Sequence, residues 1–247
     1  MHTELGDKFK AIERMHSSSI LPDGWLIVRL DGKAFHTYTK GLVKPFDGML
    51  HSAMNNAVYD TCRNSDIPVK FAYTQSDEIS LLIDEREHEQ GWFGGKVEKI
   101  VSVSASTFTG FFNAHHAHAG KKPAVFDARV IRLTKREDVL DYFLWRKADA
   151  NRNAISMQAQ SMFSHKELQG KNKADMLDMI REKNPDVLPI PDPFFNGRYF
   201  YSEARDLPFE YYNRATNRIE STNAKRRVWK METDNGMLDL LESDVLN

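Results

Sequence analysis

Three acidic side chains stand where the chain should turn. Asp31 closes the apolar run Trp25-Leu-Ile-Val-Arg-Leu30 and is followed by Gly32. Asp77 and Glu78 lie in Gln75-Ser-Asp-Glu78, between two further apolar runs. Taken singly, a strand-end Asp-Gly is most often only a turn, and acids in a hairpin are most often only solvated. Chemistry follows if the fold brings the two places together. Carboxylates that converge repel one another unless a cation lies between them. Magnesium suits that position, because it is a hard ion that takes oxygen ligands, keeps waters and binds triphosphate oxygens. Two such ions can stabilise both the attacking and the leaving oxygens of a phosphoryl displacement. Gly32 adds a backbone that can approach a ligand closely.

The elements that must position these acids can be read in order. Residues 5–15 carry Leu5, Phe9 and Ile12 at helical spacing, with Thr3 as a possible cap. The run 25–30 reads as a buried strand after the turn signal Leu21-Pro-Asp-Gly24. Asp47 opens a helix whose buried face is Leu50, Ala53, Met54, Ala57, Val58, Thr61 and Cys62. Strands at 69–74 and 79–84 are joined tightly enough for an antiparallel hairpin. A second helix is expected over about 96–113, and a fourth strand over 124–133. Strand, helix, strand, strand, helix, strand is the split βαβ or ferredoxin-like order, an α+β sheet with its helices on one face. In it the first and third strands are central neighbours, so the hairpin turn lies beside the strand end that carries Asp31. Beyond residue 134 the pattern changes to helices at about 137–162 and 173–183, a Pro-rich break at 184–193, and short strands at 199–201 and 227–232. We therefore expect a palm-like core, 1–134, and a mainly helical appendage, 135–247, packed as one unit.

The composition is that of an ordinary globular chain, with 41% hydrophobic and 28% charged residues among 247. Lys plus Arg number 34 against 35 for Asp plus Glu, so nucleic-acid contact must come from local clusters, not from global attraction. Cys62 is the only cysteine, which excludes an intramolecular disulfide and fits a reducing, cytoplasmic setting. No signal peptide or membrane span is expected. The cluster His115-His116-Ala-His118 could suggest a metal site. No cysteine or acid follows at ligand spacing, and it reads as an exposed helix end.

Five ordered stretches carry a resemblance. Val28-Arg-Leu-Asp-Gly-Lys-Ala-Phe-His36, Lys44-Pro45, Tyr73-Thr-Gln-Ser-Asp-Glu78, Phe126-Asp-Ala-Arg129 and Asp141-Tyr-Phe-Leu-Trp-Arg-Lys-Ala-Asp149 resemble the tRNA-histidine guanylyltransferase (Thg1) superfamily. They span well over half the chain, from about Leu26 to Gly170. The resemblance implies a polymerase-palm-like fold and a nucleotidyltransferase that extends the 5′ end of tRNA in the 3′–5′ direction. It implies three steps. ATP adenylylates a 5′-monophosphate, the 3′-hydroxyl of an incoming nucleoside triphosphate such as GTP displaces AMP, and pyrophosphate is removed from the new end. Asp31 and Asp77 would carry two Mg2+ ions with the Gly32 carbonyl. Lys33, Ala34, Phe35 and His36 would cradle a triphosphate through their backbone amides, and Lys44 and Ser76 would hold a second. Arg29 would lie beside the site. Lys96 and Lys99 align approximately with residues that touch phosphates or the RNA end, although lysines at helical spacing otherwise read as a solvated face. His36 also reads as a turn histidine. Relatives are usually homotetramers.

The chain departs from the eukaryotic tRNA-histidine enzymes in two places. Asn151-Arg-Asn-Ala154 stands where they carry His-Ile-Asn-Asn, and Leu168-Gln-Gly170 is followed by Lys171-Asn-Lys, not by Lys-Asn-Glu. Those segments are associated with choosing the histidine tRNA. The chain therefore resembles more the Thg1-like proteins of bacteria and archaea, which implies template-dependent repair of 5′-truncated tRNA, with guanylate addition to tRNA-histidine as the alternative. Asn151 and Arg152 remain candidates for RNA contact. Two other classes stay open. A nucleotide cyclase shares the palm and paired acids, but the Gly-Gly start of the diguanylate cyclase turn is missing. A non-catalytic RNA-binding module would present aromatic residues on the sheet, where these strands offer mainly aliphatic ones.

Overall fold

The computed structural model describes residues 2–15, 17–116, 122–233 and 235–246. The elements are α1 (His2–Met15), β1 (Trp25–Gly32), α2 (Phe35–Tyr38), α3 (Gly48–Asn64), β2 (Val69–Gln75), β3 (Glu78–Asp84), α4 (Val97–His115), β4 (Phe126–Leu133), α5 (Arg136–Met162), α6 (His165–Leu168), α7 (Lys173–Lys183), α8 (Asp192–Phe195), β5 (Arg198–Asn213), β6 (Arg218–Glu232) and α9 (Met237–Leu240). The six strands form one antiparallel sheet in the order β4-β1-β3-β2-β5-β6. Its first four strands are the expected ferredoxin-like set, with β1 and β3 at the centre.

Strand β1 is a continuous apolar run because both of its faces are buried. Leu26, Val28 and Leu30 pack with α3 and α4, whereas Trp25 and Ile27 face Val139, Tyr142 and Phe143 of α5. Burying each such aliphatic side chain is worth about 1.5–3 kcal/mol, and it pins the register. Asp47 caps α3 by accepting from Leu50 N at 2.8 Å, and Ala53, Met54, Ala57, Val58, Thr61 and Cys62 form its buried face.

Three expectations change. The short strands expected at 199–201 and 227–232 are the inner ends of a long hairpin. Only residues 198–201 of β5 pair with β2; from there β5 continues with β6 alone as a two-stranded arm. The arm was missed because it lacks an apolar run. Its signal is the alternation Leu207, Phe209, Tyr211, the period of a strand with one apolar face. Second, the apolar stripe of α1 is not packed: Leu5 and Phe9 are 57% and 59% exposed. The possible cap Thr3 has its side chain outside the described residues. Third, His116 is buried and bonded to the Tyr38 hydroxyl at 2.6 Å, while His115 reaches Asp60 at 2.6 Å. His118 lies outside the described residues.

Candidate active site

Hydrogen bonding across β1 and β3 places Asp31 opposite Glu78, and Gly32 N donates to Asp77 O at 3.2 Å. The acids of the two turns therefore meet at one rim of the sheet. A second wall comes from α5. Arg146, Asp149, Asn153, Ser156 and Gln160 recur at steps of three and four, so they share one helix face. That face encloses a cleft of about 400 Å³ with Asp31, Asp77 and Glu78.

Arg146 organises the charges. Its Nε lies 2.7 Å from Glu78 Oε1, its Nη2 donates to Glu78 Oε2 at 2.8 Å, and the same nitrogen reaches Asp149 at 2.9 Å. Burial raises the Glu78 pKa above the usual carboxylate range even though Arg146 pulls it down. Glu78 is thus a tethered acid, and cations among the described residues pair with Glu78 and Asp149, not with Asp31 or Asp77. Burial and the Asp31 charge push the Asp77 carboxyl up to about 6. Two converging carboxylates without a basic partner fit a divalent cation. No group of three or more His, Cys, Asp or Glu with metal-holding geometry occurs among the described residues. Magnesium does not need one, since it binds through one or two carboxylates, waters and substrate phosphates.

Gly32 is required by packing. A Cβ there would fall 2.2 Å from the Phe35 ring. That ring is buried against Tyr38, Phe112 and Phe126, and it anchors the loop that follows the acid. Ala34 sits at φ 54°, a left-handed conformation that turns the chain into α2. The Lys33 amide donates to Val125 O at 2.8 Å, which corrects its expected place in a phosphate cradle: that N–H is already used. His36, Lys44 and Ser76 do come together, lining a cleft of about 460 Å³ that continues to Asp77. Arg29 stays beside the acids as expected, two positions before Asp31 with its guanidinium 5.8 Å from the Trp145 ring centre.

Other expected residues are elsewhere. Lys96 and Lys99 lie at the start of α4, where Ile20 N donates to Gly95 O and Val97 N to Ser18 O, beside the entry to β1. The other end of α4 is the one at the acids, where Phe112 meets Phe35. Phe112 lies thirteen positions beyond Lys99 along the helix, roughly 20 Å. The two lysines line a separate groove of about 750 Å³ with Lys10 and Arg14 of α1. Asn151 is also corrected, since its amide donates to Phe195 O at 2.7 Å and ties α5 to α8. Arg152 is exposed and paired with Asp149. The residues that the site reading missed are Arg146, Asp149 and the rest of that α5 face. Their signal was the Trp-Arg-x-x-Asp spacing, which places Arg146 and Asp149 on one side of a helix.

The family model for Thg1, tRNAHis guanylyltransferase, matches residues 6–134. The chain belongs to the Thg1 family. A bacterial Thg1-like protein solved in complex with ATP is 39% identical, with a TM-score of 0.74 over 80% of this chain and 88% of that one. A bacterial Thg1-like protein solved in complex with GTP is 29% identical, with a TM-score of 0.70 over 98% and 97%. A probable tRNA(His) guanylyltransferase of Dictyostelium discoideum is 32% identical over 144 residues, 55% of this chain and 54% of that protein. The match thus spans about half the length of that curated relative. Members of the Thg1 family are tRNA guanylyltransferases, so the chain falls among nucleotidyltransferases. Among the described residues, no helix is long and apolar enough to cross a membrane.

Proposed function

We propose that this Thg1-family chain adds nucleotides in the 3′–5′ direction to the 5′ end of tRNA, templated by the opposite strand, and so repairs 5′-truncated tRNA. The observation that carries the reading is the meeting of Asp31 and Asp77 at the end of a cleft lined by His36, Lys44 and Ser76. Bound at Asp31, Asp77 and the Gly32 carbonyl, two Mg2+ ions would supply charge neutralisation for phosphoryl displacement. The chain's own residues bind and orient. Lys44 places a point charge against triphosphate oxygens and Ser76 offers a hydroxyl, while the amides of Ala34, Phe35 and His36 line the turn beside them. Arg146 holds Glu78 and Asp149 in place, which keeps the α5 wall at a fixed distance from Asp31. Arg29 adds positive charge beneath the rim.

ATP and GTP are the nucleotides found with the bacterial relatives, which supports ATP for activating the 5′ end and a nucleoside triphosphate for addition. Lys96 and Lys99, exposed at the far end of α4, would take RNA phosphates at a distance from the chemistry, and Arg152 would do so at the α5 wall. Exposed apolar side chains on α1 (Phe9, Met15) and on the arm (Phe209, Tyr212, Ile219) support self-association into a homotetramer. A cytoplasmic setting fits the buried free Cys62. Guanylate addition to tRNA-histidine is the second reading, favoured by the match of residues 6–134 to the tRNAHis guanylyltransferase family.

The test is one assay. The protein is incubated with full-length and 5′-truncated tRNAs of several identities, ATP, all four nucleoside triphosphates and magnesium. Template-matched extension of truncated tRNAs is expected. Extension confined to tRNA-histidine favours the second reading, and cyclic product from GTP without RNA overturns both.

A further inference from the structure

Arg198 begins β5 opposite Thr74 and is 2% exposed. Its Nε donates to Asn55 Oδ1 at 2.7 Å and its Nη1 to Pro193 O at 3.1 Å, while Nη2 is buried with no partner among the described residues. Burial lowers its pKa to about 10, and no carboxylate among the described residues offsets that burial. At neutral pH it is therefore a buried cation without a counter-charge, a costly arrangement unless something anionic completes it.

The neighbouring bonds settle what the site lacks. An arginine Nε can only donate, so Asn55 must turn its oxygen to Arg198. Its amide nitrogen then faces His51 Nδ1 at 3.4 Å. Burial, with the Arg198 charge, lowers the His51 pKa to about 4, so the ring is neutral and accepts at Nδ1. Its proton consequently sits on Nε2, which is also buried without a partner among the described residues. The two orphaned groups, Arg198 Nη2 and His51 Nε2, are thus both donors.

Both residues line one small pocket of about 50 Å³, walled by Phe46 and Phe194, whose rings stack at 4.4 Å. Asp47, Leu50, Ser76 and Met157 line this pocket and the larger cleft alike, so the two adjoin at Ser76. The larger cleft has room for a nucleoside, and the side pocket for a single phosphoryl group. We propose that the side pocket is a phosphate subsite, in which Arg198 and His51 hold the terminal phosphoryl group of a nucleotide lying in the Lys44–Ser76 cleft. The inference rests on the reading above that this cleft takes a nucleoside triphosphate. A 5′-phosphate of RNA has the same chemistry, and the arms of the experiment separate the two.

The full chain, free of RNA, is titrated with inorganic tripolyphosphate and, separately, with a 5′-monophosphorylated oligoribonucleotide. The readouts are the ¹⁵N side-chain resonances of Arg198, assigned with Arg198→Lys, and the melting temperature. Tripolyphosphate is expected to move the Arg198 signals and raise the melting temperature. Arg198→Met should weaken its binding at least tenfold, with Arg198→Lys and His51→Phe in between. Wild-type affinity in Arg198→Met, or wild-type Arg198 signals indifferent to tripolyphosphate, would overturn the subsite. So would signals that respond to the oligonucleotide alone. Should Arg198→Met not fold, the wild-type titration decides. The outcomes remain separable from the functional reading. A chain that binds tripolyphosphate here but extends no tRNA keeps the subsite and loses the reading. Extension with unchanged binding in Arg198→Met does the reverse.

Discussion

At the Asp31 rim of the sheet, ionisable groups are sheltered and tied to one another. Arg146 is 8% exposed and bridges two acids, and burial moves Asp77 and Glu78 upwards. At the opposite rim, roughly 20 Å along α4, Lys96 and Lys99 are exposed around an open groove. The contrast is one of dielectric. Sheltered charges interact strongly and are held in fixed geometry, as bond-making chemistry requires. Exposed charges are screened and mobile, which suits a long polyanion that must bind and leave. Mutation and pH should therefore act hardest at the first rim, and salt at the second.

The largest effect should come from the acids. Asp31→Ala and Asp77→Ala should each lower nucleotide addition by about 10³-fold or more, with circular dichroism and melting temperature close to wild type. Addition at near-wild-type rate in either variant would remove the catalytic assignment of this rim. Next, Arg146→Ala strands Glu78 and Asp149 and should cost about 3 kcal/mol in urea unfolding. The equivalent measurement on Lys96→Ala should change stability by less than about 0.5 kcal/mol. Equal losses would mean that the rims do not differ in the way described.

The third effect is on RNA affinity. Removing Lys96 and Lys99 together should weaken tRNA binding and reduce the slope of log affinity against log salt by about one per lysine. Use of triphosphates should remain unchanged. An unaltered slope would make the groove a solvated face. The smallest effect is that of pH through His51. A base whose folded pKa is depressed contributes stability that is complete above the unfolded value of about 6.5. That contribution falls as pH drops towards the folded value of about 4. The melting temperature should decline by a few degrees over that window, and His51→Gln should flatten the decline. A parallel curve for the variant would assign the titration elsewhere.

Much of this was legible in the chain because short-range physics writes it there. The run 25–30 had to be a strand buried on both faces, Asp47 had to cap a helix, and the order of elements left few topologies. Within that topology, β1 and β3 had to be neighbours, so Asp31 and the Asp77-Glu78 turn had to meet. The long arm was less legible. Its alternation is real, but it pairs with itself in solvent, and burial, the strongest sequence signal, is absent there.

Local pattern alone determined most element types and the Asp47 cap, since each depends on residues a few positions apart, and it marked Asp31 and Asp77 only as acids at turns. Tertiary structure decided which cations serve which acids. Arg146 is drawn to Glu78, Lys96 and Lys99 are carried to the far end of a helix, and Arg198 is sealed beneath α3 with no carboxylate among the described residues paired to it. Those outcomes depend on the distances and dielectric between residues remote in the chain, and such quantities exist only once the chain has packed.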